Sequence, residues 1–233
     1  MGFHAEARVL DSPYLETVTR GWTEGNGSVI RPAESHWHMV LVTYQGKTQF
    51  IVTGALPTAG VVSYTEGAEI LWIQLKLGTF LPHLPARMLL DKELVLPDAV
   101  CHSFWLGGTS WQFPTFDNVE TFIHRLARAE ALACDPLVSG VLQDHPQDLA
   151  PRTVRHRFLR ATGLSHTHIR QIERAQQAAA LLRRGVPILD TVYQAGYFDQ
   201  PHLTRALKQW VGYTPAQLAR EARGSTLTGA KDV

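Results

Sequence analysis

The residues best equipped for chemistry lie near the C-terminal end of the 233-residue sequence. Gln200, His202, Thr204, Arg205 and Lys208 recur at helical spacing outside an apolar stripe of Leu203, Leu207 and Trp210. They carry hydrogen-bond donors and acceptors but no acid, which is what a helix needs to address base edges in a DNA major groove. Arginine chelates guanine O6 and N7, and glutamine chelates adenine N6 and N7, each pair giving about 1 to 3 kcal/mol of discrimination. Arg152, Arg155 and His156 form a second set, outside an inward face of Val154, Phe158 and Ala161. Lys208, Arg160, Arg170 and Arg174 are better read as phosphate contacts or solvated surface, setting affinity rather than sequence. The plainer reading of either set is the solvated face of an ordinary helix.

The N-terminal half offers other candidates. His36 and His38 have metal-ligand spacing on one strand face, with His83 or His102 as a third, but no glutamate follows four or five residues on. Barrel-lining or structural histidines are favoured, and no metal is expected. His36, Trp37, His38, Trp72 and Phe80, together with Trp105 and Trp111, could line a pocket for a small-molecule effector; core aromatics are the equal alternative. Glu34 and Glu69 could join the histidines in acid–base chemistry. Since no nucleophile, base and orienter assemble, no catalytic residue and no cofactor are expected. The alternative of a cupin-like barrel enzyme or metal-binding protein fused to a DNA-binding domain ranks below a sensor.

The first set must be held by two short helices joined at a glycine. Pro187 admits a helix that buries Ile188, Leu189, Val192 and Ala195, Gly196 stops it, and Asp199 caps the next, with Pro201 tolerated in its first turn. This pattern reads as a helix-turn-helix. Pro151–Gly163 forms another helix, and Ser165–Arg184 a long connector burying Ile169, Ile172, Ala175, Ala179 and Leu182.

Charge divides the chain in the same way. Residues 1–147 hold 9 Lys/Arg against 15 Asp/Glu, net −6, and residues 148–230 hold 12 against 5, net +7. An acidic half fused to a basic one is the footprint of a nucleic-acid module carrying something else. Before residue 97 the texture is that of strands: His36–Tyr44, Lys47–Thr53, Gly60–Tyr64 and Glu69–Leu77 are β-branched and aromatic, and Gln45-Gly46 marks a hairpin. Leu94–Leu96 is a short strand, and Cys101–Phe116 an aromatic segment crossing the barrel. Asp117–Ala133 is a helix serving either as a dimer contact or as packing on its own barrel. Asp135–His145 is a further short helix. Two cysteines without CxxC spacing, no signal peptide in MGFHAEARVLDS and no apolar run of membrane-spanning length give a cytoplasmic expectation with no membrane partner.

From Pro151 to Arg220 the sequence resembles the C-terminal DNA-binding domain of the AraC/XylS family of bacterial transcription regulators. The matching pieces are PRTVRHRFLRATGLS, IRQIERAQQAAALLRRG and ILDTVYQAGYFDQPHLTRALKQWVGYTPAQL. The resemblance implies that Arg152, Arg155 and His156 belong to a first reading helix, and Gln200, His202, Thr204 and Arg205 to a second. Three departures stand out. The helix preceding the first reading helix is nearly absent, with only Leu137–Leu142 or the stub QDLA to serve. His156 stands where arginine is frequent, and Val192 where alanine is usual.

The expected fold is α+β: an N-terminal β-rich cupin-like barrel or sandwich, a helical connector, and a C-terminal all-α domain with two helix-turn-helix modules on a long linker helix. The expected divisions are 1–112 for effector binding, 113–147 as connector, 148–223 for DNA binding and 224–233 as a flexible tail. Expected partners are double-stranded operator DNA, an unidentified small-molecule effector, a second copy of the chain, and RNA polymerase if the protein activates.

Overall fold

The computed structural model describes residues 2–99 and 102–228. Cys101 and Gly229–Val233 of the expected tail lie outside the described residues. The strands are β1 (Gly2–Val9), β2 (Leu15–Glu24), β3 (Gly27–Arg31), β4 (His38–Tyr44), β5 (Lys47–Thr53), β6 (Gly60–Tyr64), β7 (Glu69–Leu75), β8 (Thr79–Phe80), β9 (Glu93–Val95), β10 (Asp98–Ala99), β11 (Ser103–Leu106), β12 (Thr109–Gln112) and β13 (Ala133–Cys134). The helices are α1 (Val119–Arg128), α2 (Pro136–Leu142), α3 (Pro151–Thr162), α4 (His166–Arg183), α5 (Ile188–Gln194), α6 (Gln200–Trp210) and α7 (Pro215–Thr228). Residues 224–228 are therefore helical, where a tail was expected.

Two compact units interleave in sequence. The first takes Met1–Ser28, Ser35–Leu56 and Ser63–His166; the second takes Val29–Glu34, Pro57–Val62 and Thr167–Val233. A division at residue 148 follows the order of the chain, whereas the contacts place α3 in the first unit.

The first unit is built on an antiparallel sheet ordered β1-β2-β7-β4-β5-β9. Its edges, β1 and β9, do not pair, so of the expected cupin-like barrel or sandwich the structure shows β-rich sheets that are not closed. Alternation sets its faces. Val18, Met39, Val52 and Ile73 project from one side and are fully buried, as is Phe50 beside them. The hairpin β11-β12 and α1 cover that side: the Phe50 ring lies 4.4 Å from Phe104, 6.3 Å from Phe113 and 6.1 Å from Phe122. The aromatic segment read as a crossing is thus mainly a hairpin, turned at Gly107-Gly108. Val119, Phe122, Ile123 and Leu126 of α1 are buried, so the amphipathic face seen in the sequence packs inside its own unit. Gln45 and Gly46, at φ 49° and 75°, make the β4-β5 turn where the sequence placed it.

The second unit is helical. Ile169, Ile172, Ala175, Ala179 and Leu182 of α4 are buried, as the 3.6-residue period requires. Val29–Glu34 and Pro57–Val62 pack with the helices, and their backbone serves the end of α6: Ala33 N–H donates to the Trp210 carbonyl (2.7 Å) and Ala59 N–H to that of Gln209 (2.8 Å). These carbonyls belong to the last turn, which has no partners within its own helix. Gly212 follows at φ 85°, and a Cβ there would collide with Ile30 Cγ2. Among the described residues, no helix is long and apolar enough to cross a membrane.

Candidate nucleic-acid interface

The C-terminal module is set by local chemistry. α5 ends at Gln194 with Ala195 as its C-cap, Gly196 adopts φ 67°, and Tyr197 N–H returns to the Val192 carbonyl (2.9 Å). Asp199 caps α6 by accepting from His202 N–H at 2.7 Å. Leu203, Ala206, Leu207 and Trp210 then face inward. One expectation fails: Leu189 is 61% exposed, and Thr191 is buried in its stead, its hydroxyl donating to the Pro187 carbonyl (3.0 Å). Pro187 is also the N-cap itself rather than the first helical residue. Leu189 and Tyr193, four residues apart, consequently share the outer face of α5.

The reading residues of α6 separate into two kinds. Gln200, Arg205 and Lys208 are exposed, and among the described residues no ion pair or hydrogen bond engages their side chains. His202 and Thr204 are half-buried and already occupied. The His202 ring meets Tyr197 edge-on at 5.1 Å, and the Thr204 hydroxyl donates to the Gln200 carbonyl at 2.9 Å. His202 therefore braces the turn. Burial pushes the Tyr197 phenol above its ordinary pKa, with Arg174, whose guanidinium lies 4.5 Å from the ring centre, opposing the shift. Arg174, expected as a phosphate contact or solvated surface, thus packs on Tyr197. Phe198, 90% exposed one residue before the cap, was missed; an aromatic inside a turn that the pattern marks as polar was the available signal.

The other module lies in the first unit. Asp135 caps α2 by accepting from Leu137 N–H (3.1 Å) and pairs twice with Arg157 of α3, at 2.9 Å and 2.6 Å. The hydrogen bond and the charge of Asp135 raise the Arg157 pKa. Leu137–Leu142 is thus helical, whereas QDLA is not, and eight residues, Gln143–Ala150, replace a tight turn. α3 buries Phe158, Ala161 and Thr162, and its first residues, Arg152, Arg155 and His156, are exposed. Ala150 offers no side-chain cap. Arg160 lies 5.6 Å over the Phe80 ring.

Of the residues proposed to hold an effector, His38 and Trp72 are in contact, and Trp37 and Phe80 adjoin consecutive residues of α3. His36 precedes β4, so it shares no strand face with His38. Trp37 is buried and its indole N–H donates to the Ala161 carbonyl (3.1 Å). His38 is buried against Trp72, ring centres 5.0 Å apart. Phe80 is covered near Arg160. None of the five lines the 790 Å³ cavity of this unit, which opens between β1, β2, β7, β4 and Pro114–Asp117. Among the described residues, no three His, Cys, Asp or Glu side chains gather as metal ligands.

Residues 148–221 match a family model described as a helix-turn-helix domain. This segment is an AraC-type helix-turn-helix domain. The match spans α3 to the first half of α7, the stretch whose motifs carried the AraC/XylS resemblance, and it marks a DNA-binding transcription regulator. No match was found among curated proteins or among solved structures.

Proposed function

We propose that the protein recognises a specific operator sequence, and that a small molecule held by its β-rich unit governs that binding. The observation carrying this reading is α6 of the helix-turn-helix domain, a capped helix presenting Gln200, Arg205 and Lys208 to solvent with none of them spent on an internal partner. In this reading Gln200 and Arg205 address base edges, Lys208 a phosphate, and Arg152, Arg155 and His156 of α3 a second stretch of the operator. The β-rich unit is a sensor, cupin-like in use although its main sheet is open, and has no catalytic role. An effector acts by shifting the balance between DNA-competent and incompetent arrangements, which requires it to bind one more tightly than the other. A second copy of the chain, and RNA polymerase at activated promoters, are the proposed protein partners, in the cytoplasm.

Footprinting of the full chain over the promoters of its own and neighbouring genes tests the proposal. A compact protected site, retained above about 150 mM salt, is expected. Uniform, salt-dominated protection marks a nonspecific binder and contradicts the reading.

A further inference from the structure

We infer that the 790 Å³ cavity on the main sheet is the effector site, and that it takes a small organic cation with a planar or apolar body. This rests on the sensor reading above. Strand register supplies the first argument. His4, Trp22, Glu69 and Thr43 stand side by side across β1, β2, β7 and β4, and Glu6, Arg20, Leu71 and Leu41 form the adjoining row. Both rows continue the face that elsewhere carries Val18, Met39 and Ile73 under the aromatic cover. Here the cover is missing and the face opens into the cavity, with Pro114–Asp117 as its other wall.

Charge supplies the second argument. Arg20 is neutralised by Glu6, Nη2 to Oε2 2.6 Å, and its guanidinium lies 4.6 Å from the Phe116 ring centre. Arg8, outside the lining, is engaged with the same ring and with the Phe116 carbonyl. Both guanidinium groups hold the wall to the sheet. The remaining charged groups of the lining are the carboxylates of Glu69 and Asp117, which have no ion-pair partner among the described residues. Directly opposed residues on neighbouring strands have Cβ atoms about 5 Å apart, so Glu69 adjoins Trp22. Trp22 is 51% exposed and stacks on His4 with ring centres 5.2 Å apart. A carboxylate beside an indole, over a floor of Leu41 and Leu71, suits an ammonium group with an apolar body and repels an anion of the same shape.

The test is calorimetry and thermal unfolding of the full chain with phenethylamine, and with phenethyl alcohol and phenylacetate as neutral and anionic counterparts. Phenethylamine is expected to bind and, at a hundredfold excess over Kd, to raise Tm by about 5 °C. Glu69→Gln should weaken it about tenfold, Trp22→Leu similarly, and Asp117→Asn less; both amide variants replace exposed groups. Absence of phenethylamine binding, equal or tighter binding of phenylacetate, or affinity unchanged in both Glu69→Gln and Trp22→Leu overturns the assignment. Footprinting on the same preparations separates the two proposals: a specific footprint alongside any of these results leaves the regulator standing and removes only the cavity.

Discussion

The two reading helices, α3 and α6, do the same work in the proposed function but are held by different means. α6 is specified by neighbours in sequence: Gly196 turns the chain, Asp199 caps the helix and Tyr197 braces His202. α3 has no side-chain cap and follows a long connection; it is fixed by an ion pair to Asp135 and by burial of Phe158 and Ala161. A locally specified helix can be recognised from a motif, whereas one fixed by packing requires the fold. The difference is also one of chemistry, since α6 offers a glutamine and an arginine at its exposed face and α3 offers two arginines and a histidine.

Substitutions can break or sharpen this contrast. The largest effect is expected at Gly212, where Val meets both a left-handed backbone and Ile30; Gly212→Val should cost about 3 kcal/mol in urea unfolding of the second unit. Next, Arg205→Ala should weaken operator binding by about 2 kcal/mol and relax preference at one base position, as measured by competition with single-base variants. Asp199→Ala should cost about 1 kcal/mol of stability through loss of the α6 cap, with Asp199→Asn restoring most of it. The smallest change runs the other way: Ala150→Ser gives α3 the cap it lacks and should add about 0.5 kcal/mol to thermal stability. No gain there would show that α3 is limited by its packing and not by its end.

Much of this was legible in the residues. The period of α4, the capping of α6 and the β4-β5 turn each follow from short-range rules that act within a few positions. The exposure of Leu189 was not legible, because a seven-residue helix has too few turns to fix its inward face, and the buried Thr191 hydroxyl bonds backward within the helix. His36, Trp37, His38, Trp72 and Phe80 were chosen by residue type, yet the cavity depends on strand register: His4, Trp22 and Glu69 are neighbours only after β1, β2 and β7 pair. The membership of Val29–Glu34 and Pro57–Val62 in the helical unit likewise depends on contacts far apart in sequence.

Selection of bound sequences from a randomised DNA library, run with the full chain and with Arg205→Ala and Lys208→Ala, tests most directly whether α6 reads the operator. Arg205→Ala is expected to lose preference at one base position while keeping the rest. Lys208→Ala should keep the whole preference and weaken all sequences alike, reducing the slope of log K against log salt by about 1. An unchanged preference in Arg205→Ala, at unchanged affinity, would contradict the assignment of α6 as the reading helix.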